Sequence, residues 1–292
     1  MGHIGFMSPW KELIKPRNLS LLGLRETLEG GQTFSWDRTS DCSWIGSFNS
    51  KLVELKFADD FLYWRTSSAH SITESEIKEY FWLDSSYEDA IDNLPWRSDP
   101  ILNSSIKKLM GLTILRQPLD ETLFYFILSS AKSIVQIKEI GHSVCKKWGQ
   151  SLGCNHWSFP GWNRIAEISE NELRSLKLGY RAKYVSETAK LIRARKGWLR
   201  SILKLDYAHA KIELKSLPGV GDKVADCVLL FGGNFHQAFP IDTWIEKSLE
   251  KRYDLKGWNS KQKVHFAHVH FGKFAGLAQQ FLFSAERLNI FN

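Results

Sequence analysis

The hydrophobic period of this chain changes once, near Asp84, and that change constrains its fold more than any other feature. Upstream, the sequence is cut into strand-length runs: LLGLRETL (21–28), QTFSWD (32–37), SWIGSF (43–48), KLVELKF (51–57) and DFLYWRT (60–66). They are rich in aromatic and β-branched residues, which suit a pleated, half-buried surface. Gly30-Gly31, residues 39–42, Asn49-Ser50 and Asp59 lie between them as turn material. The pattern predicts an antiparallel sheet, with IKEYFWL (77–83) as a last strand. Leu52, Leu55 and Phe57 do not alternate strictly, so a bulge is expected there.

Downstream of Asp84 apolar residues recur at the helical spacing. DSSYEDAIDNL opens on a capping residue and leads into DPILNSSIKKLMG, and PLDETLFYFILSS places Pro118 at a first helical position with acidic residues behind it. Residues 132–149 keep Ile134, Ile137, Ile140 and Val144 on one stripe. Further helices are expected near 170–177, 181–195, 206–215, 222–231, 242–252 and 261–287. The fold class is therefore α+β: an antiparallel sheet domain over 1–83, then a mainly helical body over 84–292.

A chain of 292 residues, 43% hydrophobic and 24% charged, excludes disordered and fibrous classes and buries a core without staples. Cys42, Cys145, Cys154 and Cys227 are far apart and lack CxxC spacing, so they read as reduced thiols rather than zinc or iron–sulfur ligands. No apolar run approaches the ~18 residues of a membrane span. The start MGHIGFMSPWKELIK lacks the basic-then-apolar order of a secretory signal, and Phe6 breaks a myristoylation pattern. A soluble, intracellular protein with no membrane partner is expected, in the nucleoid of a bacterium or the nucleus of a eukaryote.

Charge is unevenly divided. Residues 1–100 hold 10 basic and 16 acidic side chains, whereas residues 101–292 hold 29 and 16. The window 174–223 alone has 13 basic and 4 acidic. Such a window suits a surface that faces a polyanion.

Within 214–252, LKSLPGVGDKVADCVLLFG runs from a helix through Gly219-Val220-Gly221 into a second helix near Asp222. Two glycines flanking one apolar residue allow a tight turn whose backbone N–H groups form an anion nest, and the next helix adds its positive end. The unit can grip a nucleic-acid phosphate without reading a base. Lys223, with Cys227 one turn later, is either a phosphate contact or a nucleophile. Asp242, in FPIDTWIEKSLEKRY, stands at a helix N-cap. Alone it is a cap. Paired with Lys223 it supplies a carboxylate beside an amine, able to converge on one sugar carbon.

LPGVGDKVADC followed by FPIDTW resembles the helix-hairpin-helix DNA glycosylases, in the 8-oxoguanine glycosylase branch that carries a lysine in this helix. GGQTFSW (30–36), ILRQPLDETLFYFILSS (114–130), LKLGYRAKYV (176–185) and AGLAQQFLFSAE (275–286) match further family motifs in the same order. The resemblance implies a monomer acting on double-stranded DNA that contains oxidised guanine, with no metal or organic cofactor. It implies that Lys223 attacks C1′ of the flipped nucleotide, that Asp242 assists, and that the Schiff base then permits strand cleavage by β-elimination. It implies a pocket in which Gly31 meets the N7–H of 8-oxoguanine, Cys227 and Phe283 sandwich the base, and Gln279 reads its Watson–Crick edge. Tyr180 would wedge into the stack, Arg181 would contact the orphaned base, and Gly219, Val220 and Gly221 would hold the backbone.

Three positions depart from the animal-type pattern. Ala131 and Gln136 replace an asparagine and an arginine that read the opposite cytosine, which implies tolerance of other opposite bases. Trp244 replaces a histidine that contacts phosphate. Three rival readings are an alkylbase glycosylase that uses water, a non-catalytic DNA-binding module, and a structural helical protein with a basic face.

Overall fold

The structure, a computed structural model, describes residues 7–14, 19–67 and 72–291; Phe6 and the rest of the first six residues lie outside them. The first part holds a five-stranded antiparallel sheet in the order β1-β5-β4-β3-β2, built from β1 (Lys11–Ile14), β2 (Trp36–Ser40), β3 (Ser43–Phe48), β4 (Lys51–Ala58) and β5 (Phe61–Thr66). Between β1 and β2 lies α1 (Leu21–Glu29), and after β5 comes α2 (Glu74–Tyr80). Both helices occupy segments that read as strands. Ser20 caps the first, accepting the Gly23 amide at 3.0 Å. Thr73 and Glu76 form a capping box on the second. Each then puts its apolar residues, Leu24 and Leu28 or Ile77 and Tyr80, on one buried side. The predicted strand at 32–37 begins only at Trp36.

β4 pairs with both neighbours in unbroken register. Its broken alternation has another cause. Val53 and Leu55 face a core with Trp36, Trp44 and Trp64, whereas Leu52 on the opposite face packs with Ile45 and Leu152. Leu152 belongs to a small hairpin, β6 (Ser151–Gly153) with β7 (His156–Trp157), reaching back from the helical body. Register shifts occur instead in the β1–β5 and β2–β3 pairs.

The helical body contains α3 (Ser85–Asn93), α4 (Pro100–Lys108), α5 (Leu119–Leu128), α6 (Ile134–Trp148), α7 (Trp162–Ile165) and α8 (Glu170–Leu173), with a π-type turn over Arg174–Leu178. It continues through α9 (Arg181–Ala194), α10 (Trp198–Ser201), α11 (Tyr207–Lys215), α12 (Asp222–Gly233), α13 (Thr243–Arg252), α14 (Ser260–Phe271) and α15 (Ala275–Arg287). α5 is the axis of the body, buried at Leu119 and from Thr122 through Leu128. Pro118 sits one residue earlier than expected, at its N-cap. None of the described helices is long and apolar enough to cross a membrane.

The ends of the described fold are tied together. Glu26 of α1, almost fully buried, accepts two hydrogen bonds from Arg287 at the end of α15, at 2.7 and 2.5 Å. Removing one partner of such a pair leaves the other charge without compensation. Glu26→Ala should therefore lower the unfolding free energy by about 3 kcal/mol in urea titration; a loss under about 0.5 kcal/mol would mean that water replaces the carboxylate.

Candidate active site

The hairpin has the expected shape, and its details refine the sequence reading. Leu217 and Val220 point into the core between α11 and α12. Gly219 has φ +77, and a Cβ there would lie 2.5 Å from the Tyr184 ring, so both backbone and space require glycine. The Val220 amide donates to the Leu217 carbonyl at 3.2 Å. Val220 is thus an internal anchor, contrary to its expected place in the backbone grip. Gly219 and Gly221 line the cleft beside the first turn of α12, whose leading N–H groups have no intrahelical partner. A buried network locks the two helices: Asp226 accepts from Tyr207 Oη at 2.7 Å and from Lys211 Nζ at 2.8 Å. Burial raises the Asp226 pKa and Lys211 opposes that rise. No sequence signal pointed to Asp226, because its partners lie on the preceding helix.

Lys223, the second residue of α12, holds its ammonium over the Phe126 ring, 5.3 Å from the centroid. Cys227, one turn on, is 3% exposed. Burial pushes its thiol up to about 12, with the Lys223 charge acting the other way. It is a neutral, polarisable surface rather than a nucleophile.

Asp242 caps α13, accepting the Trp244 amide at 3.1 Å and the Ile245 amide at 2.9 Å. Burial raises its carboxyl pKa; the Ile245 amide and the nearby Lys223 charge pull it back.

Lys223, Asp242 and Cys227 line one cleft of about 810 Å³, together with Gly31, Gln279, Phe283, Gly219 and Gly221. Gly31 follows α1 with φ +97. Gln279 and Phe283 stand one turn apart on α15. Gln279 is nearly fully buried, not solvent-exposed as its residue type alone suggests. Its Nε2 donates to the Pro240 carbonyl at 2.9 Å, and its Oε1 accepts from Gln280 at 2.6 Å. The Pro240 carbonyl, Gln280, Lys132 and Arg287 also belong to the cleft, and the sequence reading missed them. A backbone carbonyl carries no sequence signal, and the other three read as ordinary surface residues.

Tyr180, Arg181 and Val220 do not line this cleft. Tyr180 is 49% exposed, just after Gly179, and its ring meets Tyr184 edge-on with centroids 5.8 Å apart. Arg181 departs from expectation. It is 4% exposed and directs its guanidinium inward, toward the Ser130 and Leu178 carbonyls. Ala131 lines the cleft with φ +50. Gln136 is occupied in capping α6, its Oε1 accepting the Ser133 amide at 3.2 Å. Trp244 stands at the mouth with the Lys247 ammonium 5.3 Å from its ring centroid.

Comparison with known proteins places the chain in a family. Residues 14–123 match the family described as 8-oxoguanine DNA glycosylase, N-terminal domain, and residues 125–270 match the HhH-GPD superfamily of base excision DNA repair proteins. The N-glycosylase/DNA lyase of Arabidopsis thaliana is 32% identical over 286 residues, covering 91% of this chain and 77% of that protein. The N-glycosylase/DNA lyase of Saccharomyces cerevisiae is 29% identical over 321 residues, covering 92% and 84%. Among solved structures, the 8-oxoguanine glycosylase/lyase of Clostridium acetobutylicum, in complex with double-stranded DNA containing cytosine opposite 8-oxoguanine, superposes with a TM-score of 0.83. It is 29% identical, covering 97% of this chain and 99% of that one. The chain belongs to the 8-oxoguanine branch of the helix-hairpin-helix DNA glycosylases.

Proposed function

We propose that this protein is a bifunctional repair glycosylase that excises 8-oxoguanine from duplex DNA and cleaves the strand at the resulting abasic site. The observation that carries the reading is the convergence of Lys223 and Asp242 in a cleft that Gln279 and Phe283 also line. The sheet domain at 1–83 supplies the Gly31 side of the pocket, and the body at 84–292 supplies the chemistry. The working unit is a monomer, since one flipped nucleotide needs one pocket.

Flipping costs a few kcal/mol, offset by stacking and hydrogen bonds in the pocket. The Gly31 backbone meets the N7–H of the lesion. Cys227 and Phe283 take the faces of the base, and Gln279, its amide held by Pro240 and Gln280, reads the edge. The Gly219 and Gly221 amides grip phosphate. The Lys223 amine then forms a bond to C1′ as the C1′–N9 bond breaks, the base leaving with the bonding electron pair and taking up a proton from solvent. Asp242 accepts the proton released from Lys223 and faces the positive charge that builds on the sugar. Ring opening gives the Schiff base. Loss of a C2′ proton then expels the 3′ phosphate, breaking the C3′–O bond.

Borohydride reduction on a duplex with 8-oxoguanine opposite cytosine should trap a covalent adduct, and Lys223→Gln should abolish it. Base release without an adduct would instead favour the water-using alkylbase chemistry. A second expectation concerns Asp242. Its folded pKa is raised, so it favours folding at acid pH, and that contribution is lost as pH rises through the folded pKa. Asparagine keeps the cap and removes the buried charge. Asp242→Asn should thus melt no lower than wild type at neutral pH while excision falls about 10²-fold or more; a markedly lower melting temperature would show that the carboxylate holds the fold. Third, Ala131 offers no side-chain donor and Gln136 carries an amide, its oxygen held in the α6 cap, in place of a guanidinium fork, so excision rates opposite C, A, G and T should agree within about tenfold. A cytosine preference well beyond that would mean that another side chain reads the opposite base.

A further inference from the structure

Consecutive residues on a helix do not face each other, so nothing in α15 by itself brings the side chains of Gln279 and Gln280 together. They meet nonetheless. Gln280 Nε2 donates to Gln279 Oε1 at 2.6 Å, and Gln279 Nε2 donates to the Pro240 carbonyl at 2.9 Å. Both side chains are buried, and both residues line the cleft together with Pro240.

The segment that carries the Pro240 carbonyl is fixed against the same helix. The Gly276 amide, in the first turn of α15, donates to the His236 carbonyl at 2.7 Å. A Cβ on Gly276 would lie 2.7 Å from the Ala238 carbonyl oxygen and 2.9 Å from that of His236, so this approach requires glycine. From α14, His268 Nε2 donates to the Gln237 carbonyl at 2.9 Å. The gap that Gln279 bridges therefore has a set width.

A side-chain amide can be turned end for end with little change of shape, exchanging its donor for its acceptor. At Gln279 each end has a partner that suits one sense only. Turned over, its oxygen would face the Pro240 carbonyl oxygen and its NH2 would face the Gln280 NH2. As it stands, Gln279 Oε1 and the Pro240 carbonyl oxygen each keep a second lone pair. These groups thus offer two acceptors. A guanine-type edge brings two donors, N1–H and the 2-amino group, whereas an adenine-type edge carries an acceptor at N1. Buried acceptors left without a donor are costly, and a site built to hydrogen-bond one edge rejects the analogue that lacks it.

We propose that Gln280 is a positioning residue that sets the donor–acceptor sense of Gln279, and so makes the pocket select oxidised purines with a guanine-type edge over those with an adenine-type edge. Gln280 acts through Gln279, while Pro240 holds the other end of the amide. The inference rests on the reading of Gln279 as the group that meets the Watson–Crick edge of the flipped base.

The test is single-turnover excision by the full-length protein on two duplexes, one with 8-oxoguanine and one with 8-oxoadenine, each opposite cytosine. The readout is the ratio of the two rates, in which losses of folded protein or of DNA binding common to both substrates cancel. Gln280→Met keeps the length and removes the donor; the ratio should shrink about tenfold, through slower excision of 8-oxoguanine. Gln280→Leu takes its place in every comparison if methionine prevents folding. Gln279→Ala should shrink the ratio about tenfold or more. In that background Gln280→Met should change the ratio by less than about twofold, because nothing is left for it to position. An unchanged or larger ratio in Gln280→Met would overturn the proposal, and so would a further loss of similar size in the Gln279→Ala background. A wild-type ratio in Gln279→Ala would remove the underlying reading of Gln279 instead.

Discussion

The site depends on keeping a carboxylate in a partly dry cleft. Burial alone would favour the protonated acid. At Asp242 burial does raise the pKa, and the cap of α13, where two backbone N–H groups and a helix N-terminus face the carboxyl, opposes that rise together with the nearby Lys223. The chain therefore places a helix start at this point, and the surrounding architecture fixes that helix. Lys247 and Arg252 of α13 reach the buried Glu286 of α15 at 2.7 and 3.3 Å. Lys263 of α14 pairs with Glu246 and Glu250 on α13. The same contacts that hold the carboxylate also place α15, which carries Gln279 and Phe283.

The amine is held by a separate frame. α12 is clamped to α11 by Asp226 and lies against α5, where Phe126 forms the surface beneath the Lys223 ammonium. Amine and acid thus come from two helix N-termini with independent supports. A reacting carbon can sit between groups whose positions do not require each other's presence. Such pre-organisation on rigid elements suits a reaction in which positioning contributes much of the acceleration.

The period change at Asp84 made the division into sheet and helices legible, and it located β3, β4 and β5 closely. It failed at α1 and α2 because segments this short, crowded with apolar residues, satisfy both periods. The deciding signals were the caps, Ser20 and the Thr73–Glu76 box, which sit just outside the apolar runs. The broken alternation of β4 was real but misread: two faces are covered, one by a hairpin about a hundred residues away, and no local pattern encodes that distance. At the site, Lys223 and Asp242 were legible because each carries its own local context, a glycine turn and a helix start. The inward turn of Arg181, the internal bond of the Val220 amide and the carbonyl of Pro240 were not, since they depend on which segments the fold brings together.

Cys227 has a bearing on where such an enzyme can work. Peroxide oxidises thiolates much faster than thiols, and only where it can reach them. The Cys227 sulfur is both sheltered and kept protonated, its pKa pushed up to about 12. On the proposed reading of Cys227 as one face of the base pocket, a sulfenic or sulfonic acid there would put a polar, bulky group where the damaged base stacks. The chemistry that turns guanine into this protein's substrate is oxidation, so the conditions that raise demand for repair are also those that would poison an exposed thiolate. A muted sulfur lets the base pocket outlast the stress that fills it.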